Sequence, residues 1–129
     1  MSGKKPVIVA IDDEVDYTLM MDEYFKLRDY EIYVATKSVE GIRLITEKKP
    51  DIVILDLKMP GINGEEILKL TKKISTKAEV IFVTAYDDGG ATRSRMLKSG
   101  AYAYLDKPLP SLKDLEKEVL EAFKGGRGK

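Results

Sequence analysis

The chain has 129 residues, with 22 Lys+Arg balancing 22 Asp+Glu for a formal net charge of +0. That length fits one domain, and the charge balance offers no bulk attraction to nucleic acid or to an anionic membrane. With no Cys and no His, a disulfide framework, a thiolate nucleophile, a Cys-based zinc or iron-sulfur site, the zinc-protease helix and the Ser-His-Asp triad are all excluded, which leaves chemistry to carboxylates, hydroxyls, lysines and backbone groups.

The N-terminus, MSGKKPVIVAIDDE, holds only five apolar residues before an acid. That is too few for a signal-peptide core or a membrane span, so a cytoplasmic location is expected. A first strand is predicted at Val7 to Ile11. The helix after it carries Tyr17, Met20, Met21, Tyr24 and Phe25 at i, i+3, i+4, i+7 and i+8, one face of a helix, which assigns both methionines to the core. A second strand is predicted at Tyr30 to Ala35, followed by a helix with Val39, Ile42 and Ile45. The third strand is Ile52 to Leu55; the helix beyond it carries Ile67, Leu70 and Ile74 and opens at Asn63, three positions ahead of Glu66. The fourth strand is Val80 to Thr84 and the fifth Ala101 to Leu105. A final helix, opened by Ser111 ahead of Asp114, carries Leu112, Leu115, Val119 and Phe123, while Glu116, Lys117 and Glu118 read as its solvated face. The domain spans residues 1–124, and Gly125 to Lys129 read as a flexible tail.

The five strands thus alternate with helical segments along the chain, and crossovers of this length are what parallel strands require. VIVAI and IVIL are apolar on both faces, as when helices cover both sides of a sheet. The expected fold is α/β, a doubly wound five-stranded parallel sheet.

In such a sheet a ligand sits beyond the carboxyl ends of the strands. Asp12 and Asp13 follow the first strand, Asp56 follows the third, Thr84 closes the fourth and Lys107 lies just past the fifth. Any one Asp there could be a helix cap. Three together are another matter: two carboxylates about 4 Å apart repel by roughly 4 kcal/mol at an effective dielectric near 20, so the group calls for a proton or a cation. All-oxygen ligation selects a hard cation such as Mg²⁺. Asp56, in the middle of the rim, is the natural nucleophile for an aspartyl-phosphate, with Asp12 and Asp13 holding the metal and Thr84 and Lys107 holding phosphoryl oxygens. The loops DLKMPGING and TAYDDGG are Gly-containing and suited to curl around an ion or to move. Lys107-Pro108 is a candidate cis peptide. Around these loops Asp12, Asp13, Glu14, Asp16, Asp56, Asp87, Asp88 and Asp106 stand against Lys58 and Lys107, which implies a negative pocket.

The set IDDE (Ile11 to Glu14), LDLKMPGINGEE (Leu55 to Glu66), VTAYDD (Val83 to Asp88) and GAYAYLDKPL (Gly100 to Leu109) resembles the receiver domain of two-component response regulators. The resemblance covers about Val7 to Phe123 and implies a flavodoxin-like (βα)5 fold with strand order 2-1-3-4-5. By it Asp56 matches the phosphoacceptor, which takes a phosphoryl group from a sensor histidine kinase or phosphotransfer protein. Asp12 and Asp13 match the Mg²⁺-binding acids, with Asp56 and the backbone carbonyl of Lys58 as further ligands. Thr84 matches the switch hydroxyl, Ala85 supplies a backbone N–H, and Lys107 matches the lysine that pairs with the phosphoryl group. Tyr104 matches the aromatic that turns inward on activation, and the output face is made by the fourth helix, fifth strand and fifth helix. Tyr102, Ala103 and Leu109 depart from the commonest pattern and bear on the output partner. Lys58 and Tyr86 occupy places that tune the lifetime of the phosphorylated state.

The resemblance implies a phosphoacceptor switch that catalyses only its own phosphorylation and dephosphorylation, with no nucleic acid or membrane contact by this domain and with pairing of two copies on phosphorylation left open. Two other functions stay in view. A Mg-dependent aspartyl-phosphate phosphatase would carry a second Asp where Lys58 stands, and a protein-interaction module without phosphorylation would have no use for all five rim residues. Dinucleotide binding is disfavoured because the turn after the first strand reads DDEVD, which repels a pyrophosphate.

Overall fold

The computed structural model describes residues 4–127. Strands and helices alternate in the order β1 (Val7–Ile11), α1 (Val15–Leu27), β2 (Glu31–Ala35), α2 (Ser38–Lys48), β3 (Ile52–Leu55), α3 (Gly64–Ile74), β4 (Glu79–Thr84), α4 (Ala91–Lys98), β5 (Ala103–Asp106) and α5 (Leu112–Arg127). The strands form one parallel sheet in the order β2-β1-β3-β4-β5. This is the expected doubly wound, flavodoxin-like arrangement. The winding reverses between β1 and β3, which opens a crevice at their carboxyl ends.

Period-two alternation along the central strands feeds two cores. Val9, Ile11, Val53, Leu55, Val80 and Phe82 meet Leu44, Ile45, Ile67, Leu68 and Met96 from α2, α3 and α4. Ile8, Ala10, Ile52, Ile54, Ile81 and Val83 meet Met21, Phe25, Leu115, Val119 and Ala122 from α1 and α5. Each fully buried aliphatic or aromatic side chain stabilises by about 1.5 to 3 kcal/mol, so the middle of the sheet is a rigid base for whatever stands at its ends.

The helix faces differ in part from the stripes read in the sequence. Thr18, Met21 and Phe25 are the buried residues of α1, and Met20 is exposed. On α2 the buried face is Ser38, Gly41, Leu44 and Ile45, and Val39 points outward at 71% exposure. The reason is close packing on β1: a Cβ on Gly41 would lie 2.4 Å from the Ile11 side chain. On α3 the buried face is Gly64, Ile67, Leu68 and Thr71, with Leu70 at the surface. Small residues form these contact faces, and an apolar count passes over them. The strand ends also shift. The Tyr30 N–H closes α1 onto the Phe25 carbonyl instead of joining β2, and the Ala101 N–H closes α4 onto the Met96 carbonyl, so β5 begins at Ala103. Helix α5 runs through Arg127, so the tail expected from Gly125 is helical to that point; Gly128 and Lys129 lie outside the described residues. Both capping residues act as expected: Asn63 Oδ1 accepts from the Glu66 N–H at 3.0 Å and Ser111 Oγ from the Asp114 N–H at 3.3 Å. Among the described residues no helix is long and apolar enough to cross a membrane.

Candidate functional site

The parallel ladder continues one residue past three strands. The Asp12 N–H donates to the Ala35 carbonyl at 3.1 Å, Asp56 to Ile11 at 3.1 Å and Lys107 to Thr84 at 2.9 Å. Sheet hydrogen bonding therefore fixes the backbone of the three residues that carry the charge. Behind Asp56 the first residue of α3 must be glycine, because a Cβ on Gly64 would lie 2.6 Å from the Asp56 carbonyl oxygen. The Lys107-Pro108 peptide is cis.

Asp12, Asp13 and Asp56 each present a carboxylate oxygen within 4.8 Å of the others. Asp12 and Asp56 are buried, at 2% and 7% exposure, and Asp13 is exposed. The Lys107 ammonium stands among them, 2.9 Å from Asp12 Oδ2 and 3.4 Å from Asp56 Oδ2, and it also donates to Glu14 Oε1. It rests over the Tyr17 ring at 4.4 Å. Burial alone would lower the lysine pKa, but the hydrogen bonds to Glu14 and Asp12 and the charges of Asp12 and Asp56 outweigh it, so the ammonium is held above its ordinary value. Burial raises the Asp12 carboxyl; the Glu14 N–H and the Lys107 ammonium oppose this, and the Asp56 charge adds to it.

An open cleft of about 450 Å³ is lined by Asp13, Glu14, Asp56, Lys58, Thr84, Ala85, Tyr86 and Lys107. Thr84 is buried, and its Oγ1 accepts from the Tyr86 N–H at 3.2 Å. The Lys58 ammonium lies over the Tyr86 ring at 4.3 Å. Tyr104 is turned inward at 4% exposure, against Phe82, with its hydroxyl donating to the Tyr86 carbonyl at 3.0 Å. Asp12, Asp13, Asp56, Lys58, Thr84, Ala85 and Lys107 thus come together at one rim, and Tyr104 reaches it through Tyr86.

The pocket of eight acids does not form. Asp87, Asp88 and Asp106 line a separate cavity of about 230 Å³ with Arg93. Asp88 caps α4 through the Thr92 N–H and hydroxyl, and Asp106 pairs with Arg93 at 2.8 Å. Asp16 sits exposed in the first turn of α1. The acids at the cleft are Asp12, Asp13, Glu14 and Asp56. Sequence reasoning also missed the contacts of Glu14 and Tyr17 with Lys107 and the grip of Arg93 on the Tyr104 carbonyl at 2.5 Å. One signal was available: Glu14 occupies a cap position that usually takes Ser, Thr, Asp or Asn.

Three oxygen donors of this kind, two of them buried and mutually repelling, fit a hard divalent cation. Among the described residues Lys107 is the one ammonium paired with these carboxylates, so added positive charge would be stabilising here.

The sequence matches the model of the response regulator receiver domain over residues 8–120. It is 30% identical over 115 residues to sporulation initiation phosphotransferase F of Bacillus subtilis, an alignment covering 88% of this chain and 92% of that protein. It is 32% identical over 101 residues to the regulatory protein AtoC of Escherichia coli, covering 78% of this chain and 22% of that protein. Among solved structures, a CheY-like response regulator receiver domain protein from Methanospirillum hungatei superposes with a TM-score of 0.88 at 25% identity, over 97% of this chain and 98% of that one. A response regulator receiver domain protein from Clostridium thermocellum gives 0.82 at 32% identity, over 93% and 95%.

Proposed function

Because the chain belongs to the response regulator receiver domain family, we propose that it is a phosphorylation-activated signalling switch that accepts a phosphoryl group on Asp56. The observation that carries this is the convergence of three carboxylates, a buried ammonium and a buried hydroxyl on one cleft. The surroundings of the three carboxylates support Asp56 as the acceptor. Asp12 gives one oxygen to the Glu14 N–H at 2.9 Å and the other to Lys107, and Asp13 is exposed. Asp56 is buried yet lines the cleft and makes the longest of the three Lys107 contacts.

An Asp56 oxygen bonds to phosphorus as the phosphorus–nitrogen bond of a partner's phosphohistidine breaks, the imidazole leaving with the electron pair. Asp12, Asp13 and Asp56 would hold Mg²⁺, with the Lys58 carbonyl as a further ligand. Bound there, Mg²⁺ neutralises the charge of the transferring group. Lys107 takes a phosphoryl oxygen, and the Thr84 hydroxyl and Ala85 N–H take another. Moving Thr84 withdraws the acceptor of the Tyr86 N–H, and Tyr86 in turn holds the Tyr104 hydroxyl. The relay thereby reaches the α4-β5-α5 face, where an output partner would read it. The donor is a sensor histidine kinase or phosphotransfer protein in the cytoplasm. Its docking is favoured by Val15 and Val39, exposed at 55% and 71%, which line a cleft that also includes Asp13.

Incubation with acetyl phosphate and Mg²⁺ is expected to add one phosphoryl mass, mapped to Asp56. An unmodified protein, or equal labelling of Asp56→Asn, contradicts the proposal.

A further inference from the structure

We propose that Glu14 is a positioning residue that holds Lys107 in a resting place and so restrains phosphoryl acceptance at Asp56; this rests on the reading of Asp56 as acceptor. Glu14 is the N-cap of α1, with extended backbone (φ −83, ψ 107), yet its side chain makes no capping hydrogen bond. It crosses instead to Lys107 and pairs with the ammonium that Asp12 and Asp56 also hold. The Glu14 side chain is 59% exposed and that of Lys107 only 7%, so the contact pulls a buried cation toward the mouth of the cleft. One turn along α1, Tyr17 lies against the same ammonium, and its hydroxyl accepts from the Leu109 N–H at 3.3 Å. Helix α1 thus grips the lysine loop from two points.

An ammonium has three N–H donors, and Asp12, Glu14 and Asp56 provide three acceptors. A phosphoryl oxygen on Asp56 can pair with Lys107 only when one of them lets go. Asp12 is buried and tied to the Glu14 N–H, and Asp56 is the reacting group. Glu14 is exposed, and water can take over its carboxylate at little cost, so its contact is the one exchanged. In the step itself an Asp56 oxygen bonds to phosphorus while the donor's acyl oxygen–phosphorus bond breaks and acetate leaves with the electron pair; no proton moves to or from Glu14.

The test uses the full chain, acetyl phosphate, Mg²⁺ and initial rates from intact mass. Glu14→Gln keeps the shape and removes the charge, and is expected to accelerate uptake roughly two- to fivefold, the scale of a part-exposed ion pair. The gain should shrink at high salt, because salt already screens the pair in the wild type. Asp16→Asn removes a charge from the first turn of the same helix and is expected to leave the rate unchanged. In a Lys107→Met background Glu14→Gln should have no effect. Separately, the NMR signal of the Lys107 ζ-ammonium in unphosphorylated protein should move in Glu14→Gln. Equal rates in wild type and Glu14→Gln, or an equal gain from Asp16→Asn, overturn the inference. A wild type that takes no phosphoryl group overturns the acceptor reading, and an unmoved Lys107 signal overturns the Glu14 contact on its own.

Discussion

Two charged clusters lie at different places in this domain and are built in opposite ways. At the seam of α1 and α5 one carboxylate is surrounded by donors: Glu116 accepts from the Tyr24 hydroxyl at 2.8 Å and the Tyr30 hydroxyl at 2.7 Å, with the Arg28 guanidinium 3.8 Å away and stacked on Tyr24. Burial, reinforced by Glu116, raises the pKa of both hydroxyls, so they stay protonated as donors. At the rim one ammonium is shared by three carboxylates, with a fourth, Asp13, close by. The seam is complete as the chain folds. The rim carries surplus negative charge on a rigid base, and on the proposed function it is a cation and a phosphoryl group that complete it.

Lys107 is where the two clusters differ most. Lys107→Met leaves Asp12 and Asp56 buried without a counter-charge; it is expected to cost about 3 kcal/mol in urea unfolding without Mg²⁺ and to slow acyl-phosphate uptake by about tenfold or more. Asp56→Asn should do the reverse for stability. Removing one of the repelling carboxylates is expected to stabilise the metal-free protein by about 1 kcal/mol while abolishing uptake. At the seam, Glu116→Gln leaves one tyrosine hydroxyl poorly matched, an expected loss of about 1 kcal/mol that is the same with and without Mg²⁺, with uptake unchanged. The smallest effect belongs to an ordinary surface acid. The Thr92 N–H and then its hydroxyl lower the Asp88 pKa, so its support of α4 is complete above the usual aspartate range and lost as pH falls through the depressed value. The protection factor of the Thr92 amide, its exchange rate relative to an unstructured peptide at the same pH, should fall over that acid range and stay level across it in Asp88→Asn.

The sequence made the sheet and the rim legible for one reason: both depend on short-range order. VIVAI and IVIL announce buried parallel strands, and Asp12, Asp56 and Lys107 fall where those strands end. The apolar stripes include Met20, Val39 and Leu70, yet Thr18, Gly41 and Thr71 fill the contact faces, because close approach selects small side chains that hydrophobic periodicity does not register. Glu116 reads as solvated because its partners, Tyr24 and Tyr30, are 92 and 86 positions away. Glu14 and Lys107 are 93 apart. Side-chain pairing across such separations is set by how α1 and α5 pack, which no local pattern encodes.

The claim that the rim is completed by a cation and a phosphoryl group is tested most directly by thermal melting of wild type and Asp56→Asn in buffer, in Mg²⁺, and in Mg²⁺ with beryllofluoride. Ligands that bind only the folded state raise the melting temperature. The wild type is expected to rise with Mg²⁺ and again with beryllofluoride, and Asp56→Asn to lose the second rise. A wild type indifferent to both, or an Asp56→Asn variant that responds to beryllofluoride as the wild type does, would contradict it.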